Sequence, residues 1–247
     1  MALEHTVAYG SVSSQGMRDE NQDLTLTLKH PTGMLFGLFD GHGVGGQQAA
    51  AIAIKAFVGR LSKLSVITKE DLRGAFKYAD ESIPYHDAGT VATLAFITNT
   101  RIEIAWVGDC RAILVGKTLR TLTKEHRLTN PKELRRINAL GVNAHTPQKV
   151  PYVRNKYGDG IMPTRTLGDY GFRSVGVIAE PECITCTPKS TDHLLLLLCD
   201  GVWERVSDDL LREATTGTDP QEVAKKLVQL ALLNDSRDNV TVTAVAL

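Results

Sequence analysis

The chain has 247 residues and carries 28 Lys and Arg against 28 Asp and Glu, so its formal net charge is zero. That balance excludes a global basic field drawing the protein to nucleic acid or anionic lipid, and an apolar content of 43% is ample for a buried core. The longest uninterrupted apolar run, 194–199, is far below the ~20 residues of a spanning helix.

In chain order, short strands are expected near 5–11, 23–28 and 34–40, followed by helices over 47–61 and 71–83. The second of these opens with Thr68-Lys-Glu-Asp71, a capping-box pattern. Strands over 91–98, 101–107, 110–115 and 118–122 then read as a meander, with Asn99-Thr100 and Gly108-Asp109 as short connections. Asn130-Pro131-Lys132-Glu133 starts a helix, with Asn as cap, Pro in the first turn and Glu reaching back; it stops at Gly141. Residues 142–173, with Pro147, Pro151 and Pro163, read as a long irregular flap. Strands near 174–178, 183–187 and 192–200, helices near 207–214 and 219–233, and a closing strand over 240–247 complete the chain. Strands grouped with strands and separated by helix pairs favour an α+β fold, two antiparallel sheets flanked by helices, over a βαβ repeat. No repeat or Pro/Ser-rich linker divides the chain, so one domain over 1–247 is expected.

The four cysteines are Cys110, Cys183, Cys186 and Cys199. Cys110 and Cys199 lie in apolar runs and read as small buried residues. Cys183 and Cys186 form a C-x-x-C on a strand, where their side chains point to opposite faces, which argues against zinc or redox chemistry. The first residues lack a basic start followed by an apolar stretch, so no signal peptide is read. A protein of the cytoplasm or nucleus is expected, although a piece of a larger protein would look the same.

The most informative stretch is Met34-Leu-Phe-Gly-Leu-Phe-Asp40-Gly41-His42-Gly43, an apolar run delivering a carboxylate and an imidazole to one point. Three explanations compete for it and its counterparts. Gly41-His-Gly43-Val-Gly-Gly46 matches a dinucleotide fingerprint, but Asp40 would face the pyrophosphate and no clear second strand follows at the right distance. Cys199 to Arg205 matches C-x₅-R, but Asp200 and Glu204 would repel phosphate inside such a loop. The third explanation is a two-metal hydrolytic centre. It uses Asp40, Asp200 and Asp238 together, each beside an apolar strand and followed by Gly or Asn, with hard oxygen donors that suit Mg²⁺ and Mn²⁺.

Further segments fit that third reading. They are Gly16-Met-Arg18-Asp-Glu-Asn-Gln22-Asp23, Gly89-Thr90-Val91-Ala92, Trp106-Val-Gly-Asp109-Cys-Arg111-Ala112, Leu122-Thr-Lys-Glu-His126, Thr166-Leu-Gly-Asp169, Glu180-Pro181-Glu182, Cys199-Asp200-Gly201-Val-Trp203 and Arg237-Asp238-Asn239-Val240-Thr241. With these, in this order, the chain resembles the metal-dependent Ser/Thr protein phosphatases of type 2C, the PPM family, almost end to end. The resemblance implies a four-layer α-β-β-α sandwich. It implies two Mn²⁺ or Mg²⁺ ions, phosphorylated Ser/Thr proteins as partners, and in-line attack by a metal-activated hydroxide with no phospho-enzyme. A monomer is expected, without nucleic-acid or membrane partners.

The same resemblance assigns roles to single residues. Asp40 bridges both ions and Gly41 offers its carbonyl; Asp200 and Asp238 complete one ion's ligands, and Asp23 stands near the other. Arg18 holds the phosphate through its planar fork, and His42 protonates the leaving oxygen. Asp109, Asp200 and Glu204 resemble a weaker third-ion site, in which Glu204 stands where Asp is frequent. Gln22 stands where many members carry Glu; its amide can still ligate or orient water but adds no charge. The alternative is a catalytically silent relative that binds partners, with Gln22 as its support.

Overall fold

The computed structural model describes residues 7–141, 151–217 and 219–247. Its strands are β1 (Tyr9–Ser14), β2 (Asp23–His30), β3 (Gly33–Gly43), β4 (Ala88–Ile97), β5 (Ile102–Val107), β6 (Arg111–Val115), β7 (Leu119–Thr121), β8 (Val153–Arg154), β9 (Gly160–Ile161), β10 (Leu167–Gly168), β11 (Glu182–Cys186), β12 (Leu194–Leu198) and β13 (Val240–Ala246). The helices are α1 (Gly46–Leu61), α2 (Lys69–Ser82), α3 (Pro131–Asn138), α4 (Asp200–Trp203), α5 (Asp208–Ala214) and α6 (Pro220–Leu233). One sheet has the order β1-β13-β12-β6-β7 and the other β11-β5-β4-β3-β2, with β10 added to β4. Every ladder in both is antiparallel.

Strand alternation builds the layers. On β3, Phe36 and Leu38 face the core between the sheets, together with Ala95, Ile104 and Trp106. Leu35 and Phe39 face the other way, into a core with Phe57 of α1 and Phe76 of α2. The opposite sheet is covered by α6, whose Val223 and Leu227 join the first core. Helices, sheet, sheet and helices therefore stack as the expected four-layer sandwich. β12 is five leucines, all buried, because both of its faces are covered.

Local signals act largely as read. Thr68 and Asp71 form the reciprocal capping box of α2, and Asn130 and Asp219 cap α3 and α6 ahead of prolines. Three expectations change. No strand forms at 174–178, where a 3₁₀ helix over Tyr170–Val175 ends at Gly176 and only an isolated bridge joins Ile178 to Arg165. The first strand is Tyr9–Ser14 rather than 5–11, and residues 5 and 6 lie outside the described ones. The segment 151–173 is not featureless: it holds the β8–β9 hairpin and β10, while 142–150 of the expected flap lie outside the described residues.

Candidate active site

Asp40 does not end its strand, as the apolar run suggested. β3 continues to Gly43, paired with β4 on one side, and Asp40 stands opposite Asp23 of β2 on the other. The ladder thus puts two carboxylates side by side. Gly41 has no room for a side chain, since a Cβ there would come within 2.5 Å of the Gly46 carbonyl oxygen. From the facing sheet, β12 delivers Asp200 as the first residue of α4, and the turn before β13 delivers Asp238. Arg18, Gln22, Asp40, Gly41, His42, Asp109, Asp200 and Asp238 line one cleft of about 930 Å³. Tyr152, Asp159, Ile161 and Met162 of the β8–β9 region line the same cleft. Asp23 is buried behind Asp40, and Glu204 is reached through a neighbouring arginine.

The electrostatics are those of crowded acids. Burial, then Asp23, Asp200, Asp109 and Asp238, push the Asp40 carboxyl well above the usual range. Burial and Asp109 raise Asp200 to about 8 against the opposing pull of Arg127. Burial raises Asp23 to about 6, partly offset by the Thr241 hydroxyl and Cys199 thiol. Both Asp23 oxygens are buried without a partner in hydrogen-bonding geometry. Six carboxylates, Asp23, Asp40, Asp109, Asp200, Glu204 and Asp238, gather here with two guanidiniums, of which Arg18 pairs with Asp238 and Arg127 with Asp109, Asp200 and Glu204. Unpartnered oxygens and uncompensated charge fit hard divalent cations. Among the described residues, however, no three His, Cys, Asp or Glu side chains are grouped to hold an ion as they stand. Two of the acids pair with arginines instead: Asp238 Oδ2 lies 2.7 Å from Arg18 Nη2 and Asp200 Oδ2 lies 2.7 Å from Arg127 Nη2.

Four contributors went unassigned in the sequence. Asp169 Oδ2 lies 2.7 Å from His42 Nε2. Burial disfavours the charged imidazole, but the Asp169 charge and hydrogen bond outweigh it, so the His42 pKa is raised. Arg127 gathers Asp109, Asp200 and Glu204. Asn239 ties the 15–22 loop to the site: its Nδ2 donates to the Gln15 and Glu20 carbonyls at 2.8 and 2.9 Å, and its Oδ1 accepts from the Gln22 amide at 2.9 Å. Glu20 accepts from the Gln22 side chain, which also donates to the Gly43 carbonyl at 2.9 Å. Asn239 and Asp169 stood inside quoted segments, and their neighbours there carried the only readable signal.

The rival readings meet specific obstacles. β3 and its neighbours are antiparallel, and α1 leads into α2, so no βαβ unit cradles a dinucleotide. Cys199 is buried, and burial raises its thiol well above the ordinary range, which removes the thiolate a cysteine phosphatase needs. Cys183 and Cys186 pack into different cores, on opposite faces of β11.

A two-sheet sandwich flanked by helices, with an acid-lined cleft at one end, defines the class: an α+β protein built like the type 2C phosphatases. The protein phosphatase 2C family model matches residues 8–240, and the chain belongs to that family. It is 30% identical to the probable protein phosphatase 2C 27 of Arabidopsis thaliana, over 96% of this chain and 68% of that protein. It is 28% identical to the probable protein phosphatase 2C 2 of the same plant, over 94% of this chain and 64% of that protein. Among solved structures, a phosphatase from a pathogenic strain of Toxoplasma gondii superposes with a TM-score of 0.82 at 22% identity, covering 97% of this chain and 94% of that one. The chain thus spans about two thirds of the length of these plant relatives. Among the described residues no helix is long and apolar enough to cross a membrane.

Proposed function

We propose that this chain hydrolyses phosphoserine and phosphothreonine esters of proteins with the help of two Mn²⁺ or Mg²⁺ ions. The observation that carries the reading is one cleft holding Asp40, Asp200 and Asp238 beside Arg18 and the His42–Asp169 pair. Asp40 lies opposite Asp23 of β2 while Asp200 and Asp238 come from the other sheet, and these carboxylates would hold the ions, with Asp40 as the ligand they would share. When bound, the ions supply Lewis acidity: they neutralise phosphoryl charge and lower the pKa of coordinated water. Arg18, released from Asp238, offers two donors to phosphate oxygens and fixes the ester for in-line attack without a phospho-enzyme. His42, held at Nε2 by Asp169, donates its Nδ1 proton to the departing serine or threonine oxygen.

Hydrolysis of p-nitrophenyl phosphate and of a phosphothreonine peptide, with and without Mn²⁺, tests this. The parent should be Mn²⁺-stimulated, and Asp40→Asn and Asp200→Asn should each fall to background. An unstimulated parent would instead favour a silent binding domain. The β8–β9 region completes the cleft as a substrate-facing flap. Replacing Tyr152, Ile161 and Met162 with Ser should raise KM for the peptide about tenfold, equivalent to ~1.4 kcal/mol of lost binding in total. The small ester should lose less; equal losses on both substrates would remove the flap's recognition role.

A further inference from the structure

The three carboxylates that resemble a third-ion site already hold a cation. Arg127 Nε donates to Asp109 Oδ2 at 2.6 Å, Nη2 donates to Asp200 Oδ2 at 2.7 Å, and Nη1 donates to Glu204 Oε1. Each nitrogen of one planar fork thus takes one oxygen of a different acid. The length of Glu204, unusual for an ion ligand at this place, lets it reach Nη1 across the turn of α4.

The guanidinium is built in rather than resting on the surface. Its side chain is only 12% exposed. The Trp203 ring lies 5.0 Å from it, carries Arg111 at 3.7 Å, and donates its indole N–H to the Asp109 carbonyl at 2.9 Å. The Arg127 backbone bridges to Pro163, and the Thr164 amide donates to the His126 carbonyl at 2.6 Å, which fixes the arginine's stem. A divalent ion at these oxygens would have to break three charge-assisted hydrogen bonds or lie against a like charge.

We propose that Arg127 takes the place of a third divalent cation, so that the chain binds two ions where the Asp109, Asp200 and Glu204 cluster would otherwise accept another. The ion count rests on the two-metal reading above; the arginine's role is read separately, as a difference between variants. Isothermal titration of the metal-free chain with Mn²⁺, checked by electron paramagnetic resonance of free Mn²⁺, should give two equivalents for the parent. Arg127→Ala should give one more, and a further Asp109→Asn should remove it again.

A third equivalent on the parent, or an Arg127→Ala chain that binds no more than the parent, overturns the proposal. A parent that binds no Mn²⁺ overturns the two-metal reading alone, since a gain of one equivalent in Arg127→Ala still upholds the arginine's role and no gain overturns it. Circular dichroism establishes that the variants fold. Arg127→Gln, which keeps bulk and donors without charge, carries the same expectation should Arg127→Ala fail to fold.

Discussion

Asp169 is fully buried and holds a left-handed backbone (φ 52°), an arrangement that asparagine and aspartate tolerate better than most residues. What the conformation achieves is the 2.7 Å contact with His42, and Gly89 opposite it has no room for a Cβ, which would come within 2.2 Å of Asp169 Oδ2. Asp169→Asn keeps shape and removes charge. On the proposed role of His42 as proton donor, it should lower kcat roughly 10²-fold, the low end for loss of a tuned general acid. The sign of the pH effect follows from His42: its pKa is raised by Asp169, and the acid form exists below that pKa. Without the charge the pKa drops, so the alkaline limb of kcat moves to lower pH. A merely structural Asp169 would lower the melting temperature and leave that limb in place. At this scale Asp40, Asp200 and Asp238 were legible because each sits beside an apolar run that announces a buried strand. Asp169 and Arg127 were not, because their partners lie far away in sequence and no local pattern marks a pair that meets only after folding.

Among the elements, α3 shows where a local rule is right about position and wrong about partners. Asn130 accepts from the Lys132 amide at 3.0 Å and Pro131 opens the helix, as the sequence suggests. Glu133 does not reach back to close a box. It is buried and takes Arg165 Nη2 at 2.6 Å, Arg136 Nη2 at 2.7 Å and Thr164 Oγ1 at 2.7 Å, joining α3 to the segment behind the β8–β9 hairpin. The 174–178 strand failed for a related reason: β-branched residues there pack Val177 into a small third core with Ile137 and Phe172 instead of entering a ladder. Burial opposes the Glu133 charge, but the two arginines and Thr164 hold its carboxyl down to about 2, against an ordinary 4.5. A folded pKa below the unfolded one gives stability that is present above 4.5 and lost as pH falls toward 2. Glu133→Gln should therefore cost about 3 kcal/mol at pH 7. In urea titrations the gap between parent and variant should close between pH 4.5 and 2; a gap that stays constant over that range would show that the charge is not its source.

The whole molecule depends on pairings that no local pattern encodes. β1 lies on β13 and β12 lies between β13 and β6, so the first sheet joins the two ends of the chain to its middle. Most long strands, the buried leucine run and two sheets flanked by helices followed from alternation and grouping, whereas β8 to β10, the missing 174–178 strand and this strand order needed the folded chain. Closing the sandwich also forces the acids of both sheets against one another, and that has a consequence for stability. Asp200 near 8 and Asp23 near 6 are carboxyls whose folded pKa exceeds the ordinary 3.8. Their contribution runs opposite to that of Glu133: it is full below about 3.8 and is lost as pH rises through 6 and then 8. An ion-free chain should thus weaken from pH 5.5 to 8, and divalent ions should restore what it loses. At a free Mn²⁺ concentration of about 100 Kd the linkage supplies ~2.7 kcal/mol, or roughly 5–10 °C in melting temperature for a chain of this size. The Mn²⁺-induced rise measured by scanning calorimetry should be larger at pH 8 than at pH 5.5, and Asp40→Asn should abolish it. A rise that is the same at both pH values, or that survives in Asp40→Asn, would mean that the ions stabilise the fold somewhere other than at this cluster of acids.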